Sequence, residues 1–95
     1  MSSQSIKDMH VRVITDQGVL ADEGGVSAVS LPGADGELGI LPGHRPMVTA
    51  VGSGKLILEK GTQREEFSIH GGTASVKPDE IVIFTAAGKD PDITD

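Results

Sequence analysis

Apolar and polar residues alternate along this chain in short runs that glycine and proline interrupt. In Met9-His10-Val11-Arg12-Val13-Ile14-Thr15, Met9, Val11 and Val13 alternate with His10 and Arg12. A period of two predicts a half-buried strand. A weaker strand is expected over 18–21, after the turn residues Asp16-Gln17-Gly18, and another over 26–31. The run 37–41 can extend, and 47–51, 55–60, 64–70, 73–77 and 80–86 read as strands. Glu80-Ile81-Val82-Ile83-Phe84-Thr85-Ala86 is the most apolar of these and is expected to be central. Nowhere do ten residues place apolar side chains at i, i+3, i+4 and i+7 without a Gly or Pro between them. Almost no helix is therefore expected.

The pattern predicts an all-β domain, a small ten-stranded β-sandwich or flattened barrel, since about ten short strands with a turn signal every several residues suit that architecture. Residues 1–8 form a polar arm, 9–87 the domain, and 88–95 an acidic tail. No internal repeat or low-complexity linker is present.

Composition narrows this reading. The 95 residues suffice for one small domain, of which a chain this size buries a little over ~60% of its unfolded surface. Phe67 and Phe84 are the only aromatics, so the core must be aliphatic, with one or both phenylalanines inside it. There is no cysteine, hence no disulfide framework and no thiolate chemistry. No apolar run approaches the ~20 residues of a membrane helix, and the polar start is no signal peptide, which makes a soluble cytosolic protein the default. The formal charge of −6, without aromatic platforms, argues against nucleic acid and against an anionic membrane surface. A basic protein partner remains open.

Candidate chemistry is sparse. His10, His44 and His70 are far apart and lack zinc-type spacing, so solvated strand positions suit His10 and His70 best. No nucleophile elbow stands among the serines. The glycines of Gly33-Ala34-Asp35-Gly36-Glu37-Leu38-Gly39 lack the Lys-Ser/Thr ending of a phosphate loop and read as turn residues. The run 36–46 is different. Apolar Leu38, Ile40 and Leu41 are flanked by Gly and Pro, with Glu37 and His44 near its two ends. It is either an ordinary strand with two turns or a stiff surface loop that offers a carboxylate and an imidazole to a partner; a stiff loop loses less entropy on docking.

Leu31-Pro32-Gly33-Ala34-Asp35-Gly36-Glu37-Leu38-Gly39-Ile40-Leu41-Pro42-Gly43-His44-Arg45-Pro46 resembles the signature of the epsilon subunit of F-type ATP synthases. The resemblance runs on through Met47-Val48-Thr49-Ala50, Gly54-Lys55-Leu56 and His70-Gly71-Gly72, and covers about residues 9–87. It implies an N-terminal sandwich of about ten strands at the foot of the rotating central stalk. It implies a non-catalytic subunit that binds gamma, touches the c-ring and so couples ion flow to ATP synthesis. The location implied is the cytoplasmic face of the bacterial plasma membrane, reached only through the complex.

Position by position, the resemblance assigns Glu37, with Leu38 and Ile40, to the c-ring loop, where an arginine partner would make a charge-assisted pair. It assigns His44, Met47 and Thr49 to gamma. Pro32, Gly33, Gly36, Gly39, Pro42 and Gly43 form the turns. No metal, cofactor or catalytic residue is implied. The family's C-terminal helical hairpin, which inhibits ATP hydrolysis and in some members binds ATP, has no counterpart in this sequence, so neither property is expected here. A naturally short subunit and a shortened one both fit.

Two other readings stay open. A free-standing sandwich that binds a peptide or glycan is one, although glycans favour aromatic platforms. A small hydrolase using Glu37 and His44 is the other, although no nucleophile, base and oxyanion donor stand out together.

Overall fold

The computed structural model describes residues 6–86, so the acidic tail expected at 88–95 and most of the polar arm expected at 1–8 lie outside the described residues. Seven strands follow one another: β1 (Met9–Thr15), β2 (Gly18–Val26), β3 (Ala28–Gly33), β4 (Gly36–Ile40), β5 (Met47–Lys60), β6 (Gln63–Lys77) and β7 (Glu80–Thr85). They form one sheet in the order β2-β1-β7-β6-β5-β3-β4. The sheet is not closed, so β2 and β4 are its edges, and β7 is flanked on both sides as its apolar sequence required. Neighbours run antiparallel except β1 and β7, which are parallel.

Seven strands stand where about ten were expected because β5 and β6 are long. Gly52-Ser53-Gly54 and Gly71-Gly72 looked like strand ends. In the structure the ladder runs past both, with Val51 opposite Gly72 and Ser53 opposite His70. Gly54, Gly71 and Gly72 take φ values of 156°, 75° and 131°. Glycine reaches such angles without steric cost, so it bends the strand without ending it. The first half of β5 thus pairs with the second half of β6 beside β7, and the second half of β5 lies beside β3.

The sheet folds over at these bends. β2 and β5 are not neighbours in the sheet, yet Lys60 Nζ lies 2.9 Å from Glu23 Oε1. Ser27, between β2 and β3, donates from its backbone N–H to the Glu59 carbonyl at 2.7 Å and from its hydroxyl at 3.0 Å. Val26 belongs to β2, opposite Met9, and not to the strand that follows.

Between the two layers lies an aliphatic core. Val11, Val13, Ala74, Ile81 and Ile83 enter it from one layer, and Leu31, Ile40, Leu56, Leu58 and Ile69 from the other, all wholly buried. Burying each of the larger side chains is worth about 1.5–3 kcal/mol. Neither phenylalanine is fully inside: Phe67 is half-buried against the core, and Phe84 is 49% exposed.

Candidate functional site

The segment 36–46 is built by the β3–β4 hairpin and the loop after it. Ala34-Asp35 is the two-residue turn, and Gly33 faces Gly36 across it. Pro32 and Gly33, expected in the turn, instead finish β3, and Gly36 and Gly39, also expected in turns, lie in β4; Pro32 lies opposite Glu37. Strand alternation then decides exposure. Glu37 and Gly39 are exposed, Leu38 is half-buried against the core, and Ile40 is wholly buried.

After β4 the chain turns at Pro42-Gly43, with His44 N–H donating to the Leu41 carbonyl at 3.2 Å. Gly43 N–H donates to the Pro78 carbonyl at 2.8 Å, which pins the loop to the β6–β7 turn. His44 Nδ1 donates to the Arg45 carbonyl at 2.7 Å, so its Nε2 is left free of that bond. Met47 opens β5 opposite Val76 and packs against the core.

Glu37 and His44 therefore sit at different ends of the segment. Glu37 lies beside the hairpin turn and His44 toward the β6–β7 turn. Glu37 shares a recess of about 240 Å³ with Asp35, Leu38 and Thr49, and His44 is not among its lining residues. Thr49, assigned by resemblance to a different partner from Glu37, is thus its neighbour. No lysine, arginine or histidine lies within ion-pair distance of Glu37 among the described residues.

The polar residues outside this segment form a separate group. On the outward side of β1, β2 and β7, His10 Nε2 bonds the Asp22 carboxylate, Arg12 Nε lies 3.7 Å from it, and Arg12 reaches Glu80 at 3.9 Å. The His10 hydrogen bond, aided by the nearby His10 and Arg12 charges, lowers the Asp22 pKa. His70 lies on β6 opposite Ser53, away from this group, so His10 and His70 are not brought together. Among the described residues no cluster of three or more His, Asp or Glu is arranged to hold a metal.

A second surface escaped the sequence reading. Ala50, Thr73, Phe84, Ile14 and Val19 are successive partners across five strands and so share one outward row. The adjacent row holds Val48, Ser75 and Val82 and continues into Arg12 and Asp22. Phe84, Val19 and Val48 are 49%, 60% and 73% exposed, an apolar patch beside the charged group of Arg12 and Asp22. The alternation Ile81-Val82-Ile83-Phe84 carried the signal: with Ile81 and Ile83 inside, Val82 and Phe84 must point out.

This geometry coincides with a known family. Residues 8–89 match the family model of the ATP synthase delta/epsilon chain β-sandwich domain. The chain belongs to this family. Among curated relatives of this delta/epsilon-type domain, the ATP synthase epsilon chain of Halalkalibacterium halodurans is 39% identical over 83 residues, covering 87% of this chain and 62% of that one. The epsilon chain of Alkalihalophilus pseudofirmus is 37% identical over 87 residues, covering 92% and 65%. The chain thus spans somewhat less than two thirds of these relatives' length.

Solved structures share the fold. A chain in the Euglena gracilis mitochondrial ATP synthase, determined with OSCP, F1 and c-ring, superimposes with a TM-score of 0.82 at 23% identity, covering 100% of this chain and 61% of its own. One in the Tetrahymena thermophila mitochondrial ATP synthase central stalk and c-ring gives 0.72 at 19% identity, covering 92% and 69%. Among the described residues of this delta/epsilon-type sandwich, no helix is long and apolar enough to cross a membrane.

Proposed function

We propose that this domain is a rotor component of an F-type ATP synthase, a non-catalytic coupler that bridges gamma and the c-ring at the cytoplasmic face of a bacterial plasma membrane. Family membership and the epsilon-chain relatives support this reading. The observation that carries it is the presentation of the 36–46 segment. Its carboxylate, Glu37, stands exposed and without an ion-pair partner at a hairpin tip, while the loop that holds His44 is pinned at a distance by the Gly43–Pro78 hydrogen bond. Two separately held ends suit two partners.

In this reading Glu37 faces a cationic side chain of the c-ring, and Leu38 packs beside it. Ile40 acts from within, as a core residue that fixes the strand. His44 and Met47 serve the gamma contact, and Thr49, which shares the recess of Glu37, stands where the two contacts meet. The apolar patch around Phe84 also favours an assembled state, because exposed apolar patches of this kind mark protein contacts. No bond chemistry falls to this domain.

Co-purification tests the proposal. When the native complex is extracted in detergent, this chain is expected with gamma and the c-ring. An intact enzyme that lacks the chain would overturn the reading.

A further inference from the structure

Gly39 is a glycine that the fold does not require. It lies inside edge strand β4, opposite Ser30, and its φ is not in the left-handed region. A β-carbon built on it meets nothing within 4 Å. Every other described glycine either has positive φ or would bring a β-carbon within 4 Å of a neighbour. Glycine inside a strand weakens it and marks a bulge, a bend or close approach by another molecule; the β3–β4 register runs unbroken through Gly39, which favours close approach.

The surroundings of Gly39 fit such an approach. It lies in the same outward row as Ser30 and Ile57 across β4, β3 and β5. These three, with Ala28, Leu41 and Glu59, line an open groove of about 380 Å³. The floor is low because Ala28, Ser30 and Gly39 are small. Leu41 stands 63% exposed at its side.

The groove is also negatively charged at one end. Glu59 is exposed, and the two basic residues nearest to it in the ladder are engaged elsewhere. Arg64, directly opposite, has its guanidinium 3.4 Å from Glu66, and Lys60 lies 2.9 Å from Glu23. No basic group lies within ion-pair distance of Glu59 among the described residues. An apolar floor beside a carboxylate with no direct ion pair complements a segment that pairs an aliphatic residue with a cation.

We infer that this groove is a docking site for a segment of a stalk partner that lays an aliphatic side chain over Gly39 and sets a lysine or arginine against Glu59. The inference rests on the rotor reading and deepens it. Glu59 joins Glu37 as a second carboxylate on the coupling surface, on a different strand, and Leu41 replaces Ile40 as the apolar contact. Gly39 is small so that the partner backbone can come close.

The test uses the full chain and ATP synthase stripped of its own epsilon chain. Affinity is measured for the wild type, Gly39→Val and Glu59→Lys, and thermal unfolding is followed in parallel. Valine suits an exposed strand position better than glycine, so Gly39→Val is expected to unfold at or above the wild-type midpoint while binding about tenfold more weakly. Glu59→Lys is expected to fold normally and to bind about tenfold more weakly, with the loss shrinking as salt is raised. A merely structural glycine would not raise stability and lower binding together. Wild-type affinity in both variants would overturn the groove and leave the rotor reading intact. Should Gly39→Val unfold, Glu59→Lys decides alone. Failure of the wild type to bind would remove both readings.

Discussion

Gly72 of β6 lies so close to Phe84 of β7 that a β-carbon on it would overlap the Phe84 carbonyl oxygen. Its φ is 131°. Close approach and backbone angle together restrict the position to glycine, at the point where β6 passes from one layer to the other. Gly72→Ala is therefore expected to cost about 3 kcal/mol or more. Urea unfolding measures it, and a loss below about 1 kcal/mol would contradict this packing.

Neighbouring residues Ile40 and Leu41 should behave oppositely. Ile40 is 0% exposed and Leu41 63%. Ile40→Ala is expected to destabilise the fold by about 2–5 kcal/mol. Leu41→Ala should stay within about 0.5 kcal/mol of wild type, as surface changes do. The same urea series distinguishes the two, and a reversed order would mean that β4 is shifted by one residue.

Two ion pairs are expected to contribute to the pH dependence of stability, one at each end. The hydrogen bond from His10 is the main cause that lowers the Asp22 pKa below 3.8. A lowered carboxylate pKa stabilises the fold above the unfolded value, and the gain is lost as pH falls through the folded value. Asp22→Asn should thus flatten the decline below pH 3.8. The hydrogen bond to Glu23 is the main cause that raises the Lys60 pKa above 10.5. That contribution is complete below 10.5 and is lost as pH rises through the raised value, so Lys60→Met should flatten the alkaline decline. Thermal midpoints across pH report both effects, and unchanged acid and alkaline limbs would contradict them.

Charge reversal at Glu37 separates function from fold. Glu37 is exposed and makes no ion pair within the described residues. Glu37→Lys should leave the unfolding midpoint nearly unchanged, as surface substitutions do. In reconstituted vesicles it should weaken coupling between proton flow and ATP synthesis. Unchanged proton pumping would remove the electrostatic role.

The all-β class was legible because alternation survives in short windows: Met9, Val11 and Val13 all point inward as the pattern required. Strand number was less legible. Gly52, Gly54, Gly71 and Gly72 signal a break in sequence, but a glycine that bends a strand and one that ends it look alike until partners are known. Lys55 and Ser68, facing each other beyond the bend, show that pairing continues.

The candidate site was legible at Glu37, whose exposure follows from the Gly-rich hairpin. Ile40, assigned to the c-ring by resemblance, is wholly buried, and local sequence does not show it because an apolar residue beside a Pro-Gly turn can point either way. Its direction is set by pairing with Val29, a long-range choice that local sequence does not record. The groove beside Glu59 was not legible for the same reason. Nothing within residues 55–60 says that Ala28 and Leu41 will stand beside it.

The chain contains no cysteine, so single cysteines introduced into it are the only thiols it brings to the complex. The most direct measurement is disulfide or short-linker cross-linking of Glu37→Cys and His44→Cys chains within assembled ATP synthase. The expected result is an adduct with the c-ring from position 37 and an adduct with gamma from position 44. Assembled enzyme in which neither position cross-links to either subunit would contradict the bridging role.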